Sequence, residues 1–132
     1  MNRGLVYLDT SVALAQLLGE DRVPPASLWR ETLISSRLLE YELWTRLHAR
    51  GGGRSHGDAA RDLLARLAIV ELAPPVLTRA LDSFPVPVRT LDAMHLATLH
   101  FLRERRQEVQ LATYDTRLEA AATRLGFAVF PS

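Results

Sequence analysis

The sequence predicts an α/β domain with a mostly parallel central sheet of four to five strands. Two observations carry that expectation. Short apolar runs alternate with helical stretches along the 132 residues, the pattern of repeated strand–helix units. Two of those runs, residues 5–8 and 109–113, are closed by acidic residues, Asp9 directly and Asp115 after Tyr114. In open parallel sheets the ligand crevice lies outside the carboxyl ends of the strands. The length fits a single domain over residues 1–132, large enough for a hydrophobic core.

Each element can be justified in order. Residues 4–8 read as a fully buried first strand. Thr10 or Ser11 offers a cap for a helix over residues 12–18, which Gly19-Glu20-Asp21 ends. Pro24-Pro25 suits a helix start, with Leu28 and Trp29 on its next turn. Residues 32–35 read as a short second strand. Ser36 then serves as the N-cap of a helix to about residue 50, with Leu39, Leu43 and Leu47 on one stripe. The run Gly51-Gly-Gly-Arg-Ser-His-Gly57 breaks that helix; a helix–helix connector accounts for it more simply than a phosphate-cradling loop. A helix over residues 58–67, a third strand over 69–72 and a helix opened by Pro74-Pro75 follow. Pro85 and Pro87 mark a stiff turn. Residues 91–105 form the strongest helical segment, 109–113 a fourth strand and 116–125 a helix closed by Gly126. Residues 128–130 complete the pattern as an edge strand.

Composition excludes several classes of chemistry. There is no cysteine, which removes disulfides, thiolate catalysis and cysteine-ligated zinc, and is compatible with the cytosol. No run approaches the roughly 20 apolar residues of a membrane span, and the first apolar run lacks a cleavage signal. All sixteen basic residues are arginine. A phosphate-loop site needs Gly-Lys-Ser/Thr and Schiff-base catalysis needs a lysine, so both are excluded. A receiver-type signalling domain, which also carries acids at strand ends, needs a late-strand lysine and falls with them. The net charge of +1 leaves room for local patches that meet nucleic acid.

Four acids remain to be explained together. Asp9 and Asp115 follow strands, Asp92 opens the pattern of the strongest helix, and Glu42 lies early in the helix after Ser36. Helix capping explains any one of the aspartates. It gives no reason for all four acids to gather at one sheet edge. Clustered carboxylates repel one another unless a hard cation joins them, so the spacing points to a Mg²⁺ or Mn²⁺ site and phosphoryl chemistry. Divalent metals lower the pKa of water, orient it and neutralise developing charge, so cleavage of a phosphodiester would leave a 5′-phosphate and a 3′-hydroxyl. Thr10, Ser11 and Thr113 are either caps and strand residues or groups that orient a carboxylate or a metal-bound water. His95, one turn after Asp92, reads as a hydrogen-bonded core histidine. His48, His56 and His100 show no ligand spacing. Arg46, Arg89 and Arg117 are candidates to hold substrate phosphates.

Four segments carry a family resemblance. They are Tyr7-Leu-Asp-Thr-Ser-Val-Ala-Leu14, Ser36-Arg-Leu-Leu-Glu-Tyr-Glu42, Arg89-Thr-Leu-Asp-Ala-Met-His-Leu-Ala97 and Ala112-Thr-Tyr-Asp-Thr-Arg-Leu118. In order and spacing they resemble the signature blocks of PIN-domain ribonucleases, and among those the VapC toxins of type II toxin–antitoxin systems. The likeness covers nearly the whole chain. Glu40 and Glu42 compete for the second block; the Ser-x-Leu-x-x-x-Glu spacing selects Glu42, and residues two apart point to nearly opposite helix faces. The resemblance implies a three-layer α/β/α fold and a metal-dependent endoribonuclease of the cytoplasm. Asp9, Glu42, Asp92 and Asp115 would then be the catalytic residues, binding one or two Mg²⁺ or Mn²⁺ ions. It also implies an RNA substrate, a cognate antitoxin and a homodimer, with no membrane association. The rival reading is a non-catalytic PIN-like module that binds RNA or protein, although such modules usually lack some of these acids. Leu28 and Trp29 either pack inward or line an apolar groove, and the resemblance favours a groove filled by the antitoxin's C-terminal part.

Overall fold

The computed structural model describes residues 4–19 and 22–131. Five strands, β1 (Leu5–Leu8), β2 (Thr32–Ser36), β3 (Ala68–Val70), β4 (Val109–Ala112) and β5 (Ala128–Val129), form one sheet in the order β3-β2-β1-β4-β5. Every pairing is parallel. The helices are α1 (Thr10–Leu18), α2 (Arg37–Ala49), α3 (Gly57–Ala65), α4 (Pro74–Leu81), α5 (Thr90–Glu104) and α6 (Thr116–Arg124), with a 3-10 turn over Ala26–Arg30. The edge strand β5 pairs with β4 as expected, but it ends one residue early, at Val129. Among the described residues no helix is long and apolar enough to cross a membrane.

Strand alternation divides the core into two faces. Val6, Leu8, Leu33 and Ala112 point to one side, where they meet Val12 of α1, the stripe Leu39-Leu43-Leu47 of α2, and Ala60 and Leu63 of α3. Tyr7, Ile34 and Leu111 point to the other, against Leu96, Leu99 and Leu102 of α5 and Leu118 of α6. Helix α4 packs on α5. The three layers α/β/α implied by the resemblance are therefore present.

Strand β1 is the hinge of the topology. The chain moves outward from it through β2 and β3, then returns to its other side for β4 and β5. The order reverses between β1 and β4, and a switch point of this kind opens a crevice at the carboxyl ends. The register sets Leu8 beside Ala112, and the Asp9 amide continues the ladder by donating to the Ala112 carbonyl at 3.0 Å. The segments 9–11 and 113–115 consequently leave the sheet side by side.

Several expectations are corrected. Helix α1 begins at Thr10, and its N-cap is Asp9 rather than Thr10 or Ser11; an Asp carboxylate accepts from the first-turn amide as well as a hydroxyl would. Gly19 ends α1 at φ 58, the left-handed conformation glycine adopts without strain, while Glu20 and Asp21 lie outside the described residues. Helix α5 begins at Thr90, one residue earlier than expected, with Asp92 in its first turn. Residues 51–57 link α2 to α3 and contribute nothing to the acidic cleft described below. Leu28 lines no groove. It is 1% exposed and belongs to the core beside α1, α2 and α3, with Trp29 partly buried against the same cluster and covered by the Arg66 guanidinium. Its core partners come from distant parts of the chain, which the local sequence did not reveal. Large exposed apolar side chains stand elsewhere, including Leu77, Leu81 and Leu91.

Candidate active site

A cleft of about 420 Å³ opens at the carboxyl end of β1, and Asp9, Glu42, Asp92 and Asp115 all line it. Four different segments deliver them. Asp9 follows β1, Asp115 follows β4, Glu42 comes from the second turn of α2, and Asp92 from the first turn of α5. Glu42 faces the cleft. Glu40, two residues earlier, instead pairs with Arg37 at 3.4 Å on the outer side of the helix. A larger and more apolar hollow, about 710 Å³, lies between α4, the proline turn and α5; it holds none of the four acids.

The two strand-end acids are tied by hydroxyls and amides. Asp9 is 6% exposed. Its Oδ2 accepts from Ser11 Oγ at 2.6 Å and from Thr113 Oγ1 at 2.8 Å. Those hydroxyls also accept from the next strand's exit: Ser11 Oγ from the Tyr114 amide at 2.9 Å, and Thr113 Oγ1 from the Asp115 amide at 2.9 Å. Asp115 caps α6 through Oδ1, which accepts from the amides of Arg117 and Leu118 at 2.9 and 3.2 Å. Thr113 lies just past the last paired residue of β4, where its hydroxyl makes this link.

The helix-borne acids are held differently. Glu42 Oε1 accepts from Thr10 Oγ1 at 2.8 Å and lies 2.7 Å from His95 Nε2. A carboxylate only accepts, so Nε2 carries the proton of that bond. The other ring nitrogen, Nδ1, lies 2.6 Å from the Tyr7 hydroxyl. The histidine is thus a hydrogen-bonded core residue, as its position suggested, but one whose partner is a cleft acid. Tyr7 was read only as part of an apolar strand. The available signal was chemical: a tyrosine buried in a central strand needs a partner for its hydroxyl. Asp92 has looser company, with Arg89 Nε at 3.9 Å.

The charges respond to this arrangement. Burial, then the negative charges of Asp115 and Asp9, push the Asp92 carboxyl above the usual range against the pull of Arg89. Burial alone would push Glu42 up too, but the hydrogen bond and charge of His95, the Thr10 hydroxyl and Arg46 outweigh it and hold Glu42 low. Burial opposes the charged form of His95, yet its bond to Glu42 and the charges of Asp9, Glu42 and Asp92 raise it above its ordinary value. Burial and the Asp9 charge keep the Tyr7 phenol protonated. Arg46 and Arg89 line the cleft, whereas Arg117 lines a neighbouring depression that shares Arg89 and Asp92.

The donor set suits a hard divalent cation in kind. All four acids offer oxygen, and the upward push on Asp92, which comes first from burial, also includes repulsion by Asp115 and Asp9 that a cation would relieve. Among the described residues, however, no three acidic or histidine side chains already surround one point as a finished cage. Each acid is instead held by its own partners, so the four share a cleft without meeting at a common centre.

Comparison with known proteins agrees with this fold and cleft. Residues 6–124 match the PIN domain family model. The chain is 35% identical over 127 residues to ribonuclease VapC46 of Mycobacterium tuberculosis, covering 94% of this chain and 95% of that one. It is 32% identical over 130 residues to ribonuclease VapC47 of the same species, covering 93% of each. The chain belongs to the PIN-domain family and falls among its VapC ribonucleases. In three dimensions it resembles Mycobacterium tuberculosis VapC20, a sarcin–ricin loop cleaving toxin, at TM-score 0.72 and 21% identity over 96% of this chain and 99% of that one. It also resembles a chain of a toxin–antitoxin complex from Klebsiella pneumoniae, at TM-score 0.64 and 18% identity over 96% and 98%.

Proposed function

We propose that this protein is the toxin of a toxin–antitoxin pair, an endoribonuclease that hydrolyses RNA phosphodiester bonds with the help of Mg²⁺ or Mn²⁺. The observation that carries the reading is the placement of four carboxylates, from four separate segments, in one cleft at the switch point of a PIN-family sheet. Asp9, Glu42, Asp92 and Asp115 would hold the cation. Bound there, it would lower the pKa of an attacking water and neutralise charge on the leaving oxygen. Arg46 and Arg89, on the rim of the same cleft, would meet substrate phosphates and set the strand against the acids. The Ser11 and Thr113 hydroxyls hold Asp9 in one orientation, so the cleft is organised before substrate arrives. No side chain is required as a nucleophile. The partner would be a cognate antitoxin that covers the cleft, with a second copy of the chain completing a dimer, and the place of action the cytoplasm.

The test is RNA cleavage with purified protein. Cleavage that chelator abolishes and Mg²⁺ or Mn²⁺ restores, leaving 5′-phosphate ends, is the expected result. Chelator-resistant cleavage, or 2′,3′-cyclic phosphate ends, would overturn the hydrolytic mechanism. Binding of RNA with no cleavage under any cation would make the chain a non-catalytic module.

A further inference from the structure

We propose that His95 and Tyr7 are positioning residues that fix the Glu42 carboxylate for cation binding. The inference rests on the proposed function, in that it takes Glu42 as a ligand. Its basis is a continuous chain of short contacts across three elements. Tyr7 of β1 meets His95 of α5 at 2.6 Å, and His95 meets Glu42 of α2 at 2.7 Å. Tyr7 and His95 are 0% and 2% exposed, so the chain runs from the centre of the sheet to the cleft wall.

The geometry divides the work. Both donors to Glu42, Thr10 and His95, use Oε1, which turns Oε2 into the oxygen without those bonds. Glutamate has three rotatable side-chain torsions, and two donors from different helices restrict them together. The imidazole also stands 3.9 Å from Asp9 Oδ1, so one N–H lies between two cleft acids. Tyr7 orients the ring from behind, its plane at 82° to the imidazole. Groups that grip a metal ligand from outside in this way typically govern metal affinity roughly 10–100-fold.

A packing role alone accounts poorly for the triad. Strand β1 is already paired on both sides, and α5 is seated by Leu96 and Leu99, each fully buried. Apolar residues of the same volume would fill the Tyr7 and His95 positions without the desolvation of three polar groups. The triad ends, instead, on an acid of the cleft.

Mn²⁺ titration of the full chain, followed by calorimetry and by the electron paramagnetic resonance of free Mn²⁺, tests the inference beside thermal melting. Wild type should bind Mn²⁺, and Glu42→Gln should bind it more weakly. His95→Leu, which keeps volume and removes the donor, should weaken binding by roughly 10–100-fold. His95→Gln, whose amide reaches toward the former Nε2 position, should recover part of the loss. A purely structural role would lower the melting temperature and leave the Mn²⁺ affinity of folded variants unchanged. Folded His95→Leu with wild-type affinity overturns the inference. If that variant fails to fold, Tyr7→Phe decides, since it deletes one oxygen; wild-type affinity there overturns it too. Glu42→Gln with unchanged affinity would overturn the inference and leave the metal reading standing. A wild-type chain that binds no Mn²⁺ would remove the metal reading, and the inference with it.

Discussion

The strand-end acids of the cleft, Asp9 and Asp115, differ from the helix-borne acids, Glu42 and Asp92, in what else they do. Asp9 caps α1 and Asp115 caps α6, so each secures the start of a helix while facing the cleft. Glu42 and Asp92 cap nothing. Glu42 is held by side chains from α1 and α5, and Asp92 more loosely, with the Arg89 guanidinium 3.9 Å away. The difference teaches that four acids in one cleft need not be equivalent in the energetics of the fold. Two are tied into backbone structure, and two are held by side chains or by charge alone.

The largest expected effect comes from removing charge without removing structure. Asp92→Asn should cut metal-dependent RNA cleavage by more than the roughly 100-fold that loss of an outer partner of a metal ligand can cost. The same variant should melt no lower than wild type in chelator. The sign follows from its raised pKa: an acid disfavoured in its charged form costs the fold stability as pH rises above its ordinary range, and neutralising it returns that stability. An Asp92→Asn protein that melts well below wild type would show that this acid is structural after all.

Asp9→Ala should lose both activity and stability, the latter by about 2 kcal/mol, because it removes an N-cap and takes the acceptor from the buried Thr113 hydroxyl and the half-buried Ser11 hydroxyl. Asp115 separates the two roles more finely. Asp115→Ala should cost about 1 kcal/mol of stability in chelator, while Asp115→Asn, an equally good cap, should cost little. Both should lose cleavage. Equal stability of the Ala and Asn variants in denaturant unfolding would erase the distinction between the two pairs of acids.

The comparison also separates what was legible in the sequence from what was not. Asp9 and Asp115 close apolar runs, and the alternation of runs and helices already placed both at carboxyl strand ends. Asp92 stood out through its helical pattern, and Glu42 was preferred to Glu40 through the Ser-x-Leu-x-x-x-Glu spacing of the family it resembles. The core stripe Leu39-Leu43-Leu47 followed from helical periodicity. The partners of Glu42 did not follow from anything local. His95 lies 53 residues after it and Tyr7 lies 88 residues before His95, and no period or cap signal links them. The same limit explains Leu28, whose apolar neighbours in sequence are few but whose neighbours in space are α1, α2 and α3. The cap of α1 was left open for a different reason: three polar residues in a row, Asp9-Thr10-Ser11, all have the chemistry of an N-cap, and the structure selects Asp9.

The smallest expected effect is in the pH dependence of the chelated protein, and it tests the helix-borne side directly. His95 has its pKa raised by Glu42, Asp9 and Glu42's and Asp92's charge against burial. A raised base contributes stability that is full below its unfolded value of 6.5 and is lost as pH rises through the folded value. Glu42 is lowered, so its contribution is full above its unfolded value of 4.5 and is lost as pH falls through the folded one. The pair should therefore stabilise the fold most between pH 4.5 and 6.5. In Glu42→Gln both contributions shrink, because the residue that lifts His95 is gone and His95 has nothing left to hold low. The melting temperature of wild type minus that of Glu42→Gln should peak in that window and decline on either side. Ring-proton chemical shifts should report the same change at the histidine, with His95 titrating at lower pH in the variant. A flat difference across the range, with an unmoved histidine titration, would mean that the His95–Glu42 contact is not electrostatically coupled in solution. Glu42 would then be held by Thr10 alone, and its tie to the core would be no stronger than that of Asp92.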